Sequence, residues 1–217
     1  MRRLWTYLPL LFLPALAHAQ SALDVNVNFG GAYDSATGLG IDNLNSPNAL
    51  GVCIPSSADT FCQATSKLNG FFLGFGGDIM FRKHLGMGAE VNFQPVHHDY
   101  GPLRSRQTFI DVNGIYQPII TKRAIVQLQG GIGSAKTSFT ISQNACVGTA
   151  VCTKQVASLG SANHFQLHFG AGVQIPITDR FFIRPQFDLR YVPNFTDQYG
   201  SNWVPAATIA VGYHFGE

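Results

Sequence analysis

Charge is the scarcest property of this chain. Only 12% of its residues are Asp, Glu, Lys or Arg, about half of the roughly 25% found in an average soluble domain. There is no block of basic residues of the kind that tracks nucleic acid, and no acidic tail. Long apolar runs are missing too. Beyond the start of the chain no stretch approaches the ~18 consecutive apolar residues that a transmembrane helix needs. Yet hydrophobic residues make up 46% of the sequence. A chain this poor in charge must place much apolar surface out of water, and helices across a bilayer are excluded. A β-barrel becomes the live alternative.

The start of the chain reads as an address. Arg2 and Arg3 are followed by an apolar stretch from Leu4 to Leu16 and then by the small-x-small site Ala17-His18-Ala19. This is the layout of a secretory signal peptide, too short to span as a helix. Residues 1–19 are therefore expected to be removed, leaving one domain over residues 20–217. The first cysteine is Cys53, so a lipid-anchored N-terminus is not expected. Two arginines leave with the leader, after which acids and bases balance.

Export to an oxidising compartment gives the four cysteines a meaning. Three pairings are open to them, and short loop closure favours the local ones, Cys53 with Cys62 and Cys146 with Cys152. A zinc site would need closer spacings and further ligands nearby, and none is present. No metal or other cofactor is expected.

The dominant hydrophobic period is two. Between Phe181 and Pro193, one face carries Phe181, Ile183, Pro185, Phe187, Leu189 and Tyr191, and the other Phe182, Arg184, Gln186, Asp188 and Arg190. Between His164 and Gln174, Phe165, Leu167, Phe169, Ala171 and Val173 oppose His164, Gln166, His168 and two glycines. Six more segments alternate with varying clarity: 23–33, 68–81, 85–95, 106–116, 124–134 and 203–215. In 106–116, Phe109 shares the otherwise polar face of Asp111 and Asn113. Such runs exceed the usual ~5–6 residues of a soluble strand. They match the ~9–11 residues of a tilted membrane strand.

The connectors alternate in length. Those at residues 82–84, 118–123 and 178–180 are tight, and those at 34–66, 97–105, 139–162 and 194–202 are longer. Short periplasmic turns against long external loops are the mark of an up-and-down outer-membrane barrel. An eight-stranded antiparallel up-and-down transmembrane β-barrel is the fold expected, with outer-membrane lipid around it. Both cysteine pairs then lie in long loops, on one side.

Periodicity alone leaves the inward face undecided, because a soluble lipocalin-like barrel also has eight strands. Composition separates the two. A water-facing exterior is rich in Lys and Glu, whereas the polar face here is Gly, Asn, Gln and His with isolated charges. The apolar face is aromatic near strand ends, at Phe29, Tyr33, Phe71, Phe81, Phe181, Tyr191, Trp203, Tyr213 and Phe215, as interfacial girdles require.

These strands, with a last one reading Val211-Gly212-Tyr213-His214-Phe215, resemble the opacity-protein and OmpA/OmpX-type outer-membrane barrels. The resemblance runs over the whole chain after the leader. It implies that the terminal aromatic strand, through Tyr213 and Phe215, is read by the barrel-insertion machinery. Family members commonly end on the aromatic residue, whereas Gly216 and Glu217 follow here. A peptidoglycan-binding domain after the barrel, as in OmpA, is not expected.

Threading the strands up and down puts Asp78, Glu90 and Arg184 in a lower layer of the lumen, and Asp111, His168, Asp188 and Arg190 near the middle. Charges of both signs in a narrow interior must pair, or each costs several kcal/mol. A salt-bridge plug is the favoured expectation, a gated narrow path the alternative. His164 and His168 do not make a metal site, being roughly 13 Å apart on a strand. His97 and His98, beside Asp99, would need a loop turn to converge. Gly130 to Thr137 imitates a phosphate loop but has Ala135 where the last glycine belongs.

Function follows less directly. The leading expectation is a non-enzymatic surface-interaction barrel that offers stapled loops to an extracellular ligand or partner. A narrow channel or transporter is the second reading. A lipid-modifying enzyme is the third, and the expected lipid-facing surface holds no Ser-His-carboxylate set for it.

Overall fold

The computed structural model of the protein describes residues 22–35, 53–55, 60–62, 67–100, 103–147, 151–197 and 199–216. The proposed leader, residues 1–19, lies outside them. In chain order the elements are β1 (Ala22–Ala32), β2 (Cys53–Pro55), β3 (Thr60–Cys62), β4 (Phe71–Arg82), β5 (Leu85–Phe93) and β6 (His98–Tyr100). Then come β7 (Leu103–Ile120), β8 (Ile125–Val147), β9 (Val151–Pro176), β10 (Phe181–Tyr191), a short 3-10 helix η1 (Phe195–Asp197) and β11 (Trp203–Phe215).

Eight of the strands form the wall, in the order β5-β4-β1-β11-β10-β9-β8-β7, and pairing of β5 with β7 closes the ring. Every junction is antiparallel. The first and last strands pair directly, from Leu23 opposite Phe215 to Ala32 opposite Ala206, so β1 starts and β11 ends at the rim of the tight turns. Closure leaves no unpaired strand edge within the wall, the condition for backbone inside hydrocarbon.

The wall is polar inside and apolar outside. In β10, Phe182, Arg184, Gln186, Asp188 and Arg190 are buried while Phe181, Ile183, Pro185 and Phe187 are exposed. In β7, Gln107, Phe109, Asp111 and Asn113 are buried, and Ile110, Val112 and Tyr116 exposed. A lipocalin-like arrangement would invert this pattern. Aromatic contacts run along the outside near both rims, including Tyr191–Trp203 at 4.8 Å on one and Phe181–Tyr213 at 5.1 Å on the other.

Strand pairing extends into the long connectors, and furthest into 139–162. Residues 139–162 read as a loop, but β8 and β9 stay paired through it up to Val147 opposite Val151. The segment lacks a consistent apolar face because it stands clear of the wall, where no lipid demands one. Ladder hydrogen bonds suffice to hold it. The 97–105 connector likewise holds β6, paired to β7.

Candidate functional site: the lumen and its two mouths

Alternation turns one side of every strand toward the axis, and antiparallel register then sets which polar groups share a height. At the end with the tight turns, Asp24 of β1 stands opposite His214 of β11. His214 Nδ1 lies 2.5 Å from Asp24 Oδ1. Asp24 is also in register with Asp78, and Arg184 answers that second acid, donating from Nη1 to Asp78 Oδ2 at 2.6 Å. Gln127 reaches the same oxygen at 3.3 Å.

Higher up, His168 is held at both ring nitrogens. Nε2 lies 2.9 Å from Asp188 Oδ1, and Nδ1 lies 2.9 Å from Asn113 Oδ1. Gln186 donates to Asp188 at 2.8 Å. Gly170, in register with Asp188, leaves the room that a side chain would take from Asp188 and Gln129. Above this, Arg190 Nη2 donates to Asp111 Oδ2 at 3.4 Å, and Gln166 donates to Asp111 Oδ1 at 2.5 Å. Glu90 accepts from Asn92.

Glu90 departs from its expected layer. It stands opposite Asp111 in β7 and opposite Gly76 in β4, two residues along from the level of Asp78 and Gly88. It therefore belongs with Asp111 and Arg190, and the lower layer is Asp24, His214, Asp78 and Arg184. The first two of these were missed by sequence reading. Asp24 lies on the polar face of its strand, but nothing local ties it to a histidine 190 positions away.

Apolar residues close the outer mouth. The chain after β10 turns inward through Asn194, whose φ of 61° is the left-handed turn conformation that Asn tolerates. η1 then seats Phe195 and Tyr199 against Val192, Val204, Leu68 and Ala32, with the two rings 4.6 Å apart. Phe72 and Phe109 stack beneath them at 5.7 Å, and the guanidinium of Arg190 lies 4.8 Å from the Phe109 ring centre. The gap lined by Phe72, Phe109, Arg190 and Asn92 measures about 10 Å³, no more than the minimum for one water.

Polar groups tie this cap to the wall. Tyr199 is hydrogen-bonded with Thr137, which donates to Gln107 at 2.6 Å, and the Gln107 amide donates to Gln94 at 2.9 Å. Burial pushes the Tyr199 hydroxyl well above the usual tyrosine range. At the same rim, burial raises the Asp34 carboxyl to about 6, against opposing hydrogen bonds with the Ser35 and Ser201 backbone. The signal for the cap was in the sequence, as apolar Val192, Phe195 and Tyr199 inside a polar connector.

The other mouth is open. A vestibule of about 740 Å³ runs inward from the tight turns, with Asp24, His214, Gln174 and Gln117 among its polar lining and Phe182, Ile125 and Met80 among its apolar lining. Among the described residues the lumen is thus open at the turn end and filled toward the other end by ion pairs and then by the cap.

The family model of the outer membrane protein beta-barrel domain matches residues 6–215. The chain belongs to this outer-membrane β-barrel family. The barrel therefore sits in a bacterial outer membrane, with its tight turns toward the periplasm. Ail, the attachment invasion locus protein of Yersinia pestis, solved with the heparin analogue sucrose octasulfate, is similar in fold. It has a TM-score of 0.51 at 12% identity, over 90% of this chain and 99% of Ail. A major outer membrane protein of Thermus thermophilus gives 0.52 at 11% identity, over 90% of this chain and 99% of the other. At such identities the likeness concerns the fold alone. No curated protein sequence matches the chain.

The remaining candidates of this outer-membrane barrel fall as follows. His164 packs its ring edge-on to Phe195 at 5.9 Å, whereas His168 is buried among acids. Gly130 to Thr137 is an unbroken part of β8. Among the described residues no three His, Cys, Asp or Glu side chains gather as for a metal ion. In backbone register Cys53 stands opposite Cys62, and Cys146 opposite Cys152; their side chains lie outside the described residues. Tyr213 and Phe215 flank His214 on the outward face of the last strand, rings 4.6 Å apart.

Proposed function

We propose that the protein is a surface-interaction barrel, a closed membrane scaffold that holds a rigid sheet and stapled loops outside the cell. The observation that carries this reading is the β8–β9 hairpin. The outermost pairing of β10 with β9 is Tyr191 opposite Leu167, yet β9 begins at Val151. Between residues 151 and 163 no described strand pairs with the β10-side edge of β9. That free edge is about 40 Å long at ~3.3 Å per residue. An unpaired edge is a template for an extended segment of another chain, with main-chain hydrogen bonds giving affinity.

Two further parts of the reading are supported by geometry and chemistry. Directly opposed residues in an antiparallel pair have Cα atoms about 4.5–5.5 Å apart, within the range a disulfide bridges. Cys53–Cys62 and Cys146–Cys152 would then staple an outer hairpin and the tip of the β8–β9 hairpin. The filled lumen disfavours a conducting path, and the network from Asp78 and Arg184 through Asp188 to Arg190 acts as a structural plug. Biogenesis uses the leader of residues 1–19 and, at the other end, Tyr213 and Phe215 as the signal for the insertion machinery.

The test is a hairpin trimmed to Thr137 and Ala162, which are in register, and joined by an Asn-Gly turn. Bacteria displaying the trimmed and full chains are compared for binding to matrix-coated and heparin-coated surfaces and for envelope integrity. The trimmed barrel, shown folded by its mobility shift on unboiled gels, is expected to lose binding. Unchanged binding and integrity would overturn the reading. Mass of the exported chain reports leader removal, and thiol titration before and after reduction reports the two disulfides.

A further inference from the structure

We propose that the periplasmic rim of the barrel is an anionic-phospholipid-binding collar, selecting phosphatidylglycerol-type headgroups of the inner leaflet. It rests on the membrane placement and not on the surface-interaction reading.

Each of the three tight turns carries cations. Arg82 and Lys83 sit between β4 and β5, Lys122 and Arg123 between β7 and β8, and Arg180 between β9 and β10, and all five are exposed. Among the described residues, Asp179 in the turns and the buried Asp24 of the vestibule are the acids at this mouth. The long connectors of the opposite end, 34–66, 97–105, 139–162 and 194–202, hold five acids and two bases. The surface charge is therefore polarised along the barrel axis, although the chain after its leader is balanced.

Depth makes lipid the fitting partner. Arg180 donates from Nη1 to the Tyr213 hydroxyl at 3.0 Å, and Tyr213 packs between Phe181 and Phe215. Aromatic belts lie at headgroup level, so this contact ties a cation to the height of the phosphates. The other two turns close within a few residues of exposed Phe81, Ile119 and Ile120. Their long side chains spread along the apolar rim while the charged ends stay wet. Three short turns spaced around the ring cannot reach a distant polymer, but each meets the headgroups beside it. Basic groups at a negative bilayer surface attract anionic lipid, and salt weakens the effect.

The full chain, after export, is reconstituted in vesicles of phosphatidylcholine and phosphatidylglycerol in equal parts. Spin-labelled versions of each lipid report the fraction motionally restricted by the protein. A preference for phosphatidylglycerol on the order of several-fold is expected, falling with added salt. The R82Q/K83Q/K122Q/R123Q variant, which leaves the Arg180–Tyr213 contact in place, is expected to lose most of it. An unboiled gel shift establishes that the variant is folded. Equal restriction of both lipids by the unmodified barrel overturns the proposal, as does a preference that the variant retains. Absence of lipid preference with charge-dependent co-sedimentation on peptidoglycan sacculi overturns it in favour of the cell wall.

Discussion

Removing Arg184 while keeping its bulk isolates the meaning of the lower ion pair. In Arg184→Met the long stem stays, but Asp78 loses the donor at 2.6 Å and, among the described residues, keeps Gln127 at 3.3 Å. Asp78 is buried, and its register neighbour in β1 is a second acid, Asp24, whose own partner is His214. Breaking a buried pair by deleting one member costs about 3–5 kcal/mol, because the other charge is stranded. The loss here belongs at the lower part of that range, since the vestibule brings water near Asp24. Asp78→Asn in the same background removes the stranded charge and is expected to restore about 1–3 kcal/mol, the usual range for directly coupled sites. Urea unfolding in phosphatidylcholine vesicles, followed by mobility shift and by Trp203 fluorescence, reads both numbers. Planar-bilayer recording runs in parallel. If Arg184→Met stays within about 0.5 kcal/mol of the parent, or the double variant is no better than the single, the stranded-charge argument fails. Unchanged stability with a large new current would make Arg184 a gate instead of part of a plug.

Three further outcomes follow from the rim and the wall. Phe195→Ala empties a fully buried position in the cap, which ordinarily costs about 3–5 kcal/mol; the loss should show as faster hydrogen exchange in residues 192–202, with no current, because the ion pairs beneath stay closed. Asp34, raised to about 6 from 3.8, binds its proton more tightly folded than unfolded, so its contribution to stability is full in acid and fades as pH rises through about 6. Unfolding midpoints at successive pH values should show that decline in the parent and flatten in Asp34→Asn. A Cβ at Gly212 would overlap the Phe182 ring, so Gly212→Ala is expected to cost about 1–3 kcal/mol, partly recovered when Phe182→Leu is added; equal stability of all three chains would refute the packing argument.

Much of the barrel could be read from order along the chain. A strand's side chains alternate, so Phe181, Ile183 and Phe187 had to leave the face of Arg184, Asp188 and Arg190 whatever the rest of the fold did. Scarcity of charge then settled which face meets lipid. The tight turns at 82–84 and 178–180 were legible for the same local reason. The hairpin beyond residue 139 was not, because its strands are held by ladder hydrogen bonds and carry no apolar stripe to announce them.

Register between distant strands was decided only in three dimensions. Arg184 meets Asp78 across 106 positions, and His214 meets Asp24 across 190. One pleat of offset moves Glu90 from the lower layer to the level of Asp111. Alternation says that a side chain points inward but carries no information about height. Height is set when the ring closes and every strand must satisfy two neighbours at once. The same closure explains the cap, since Phe195 and Tyr199 became a core only once the outer mouth stood beneath them.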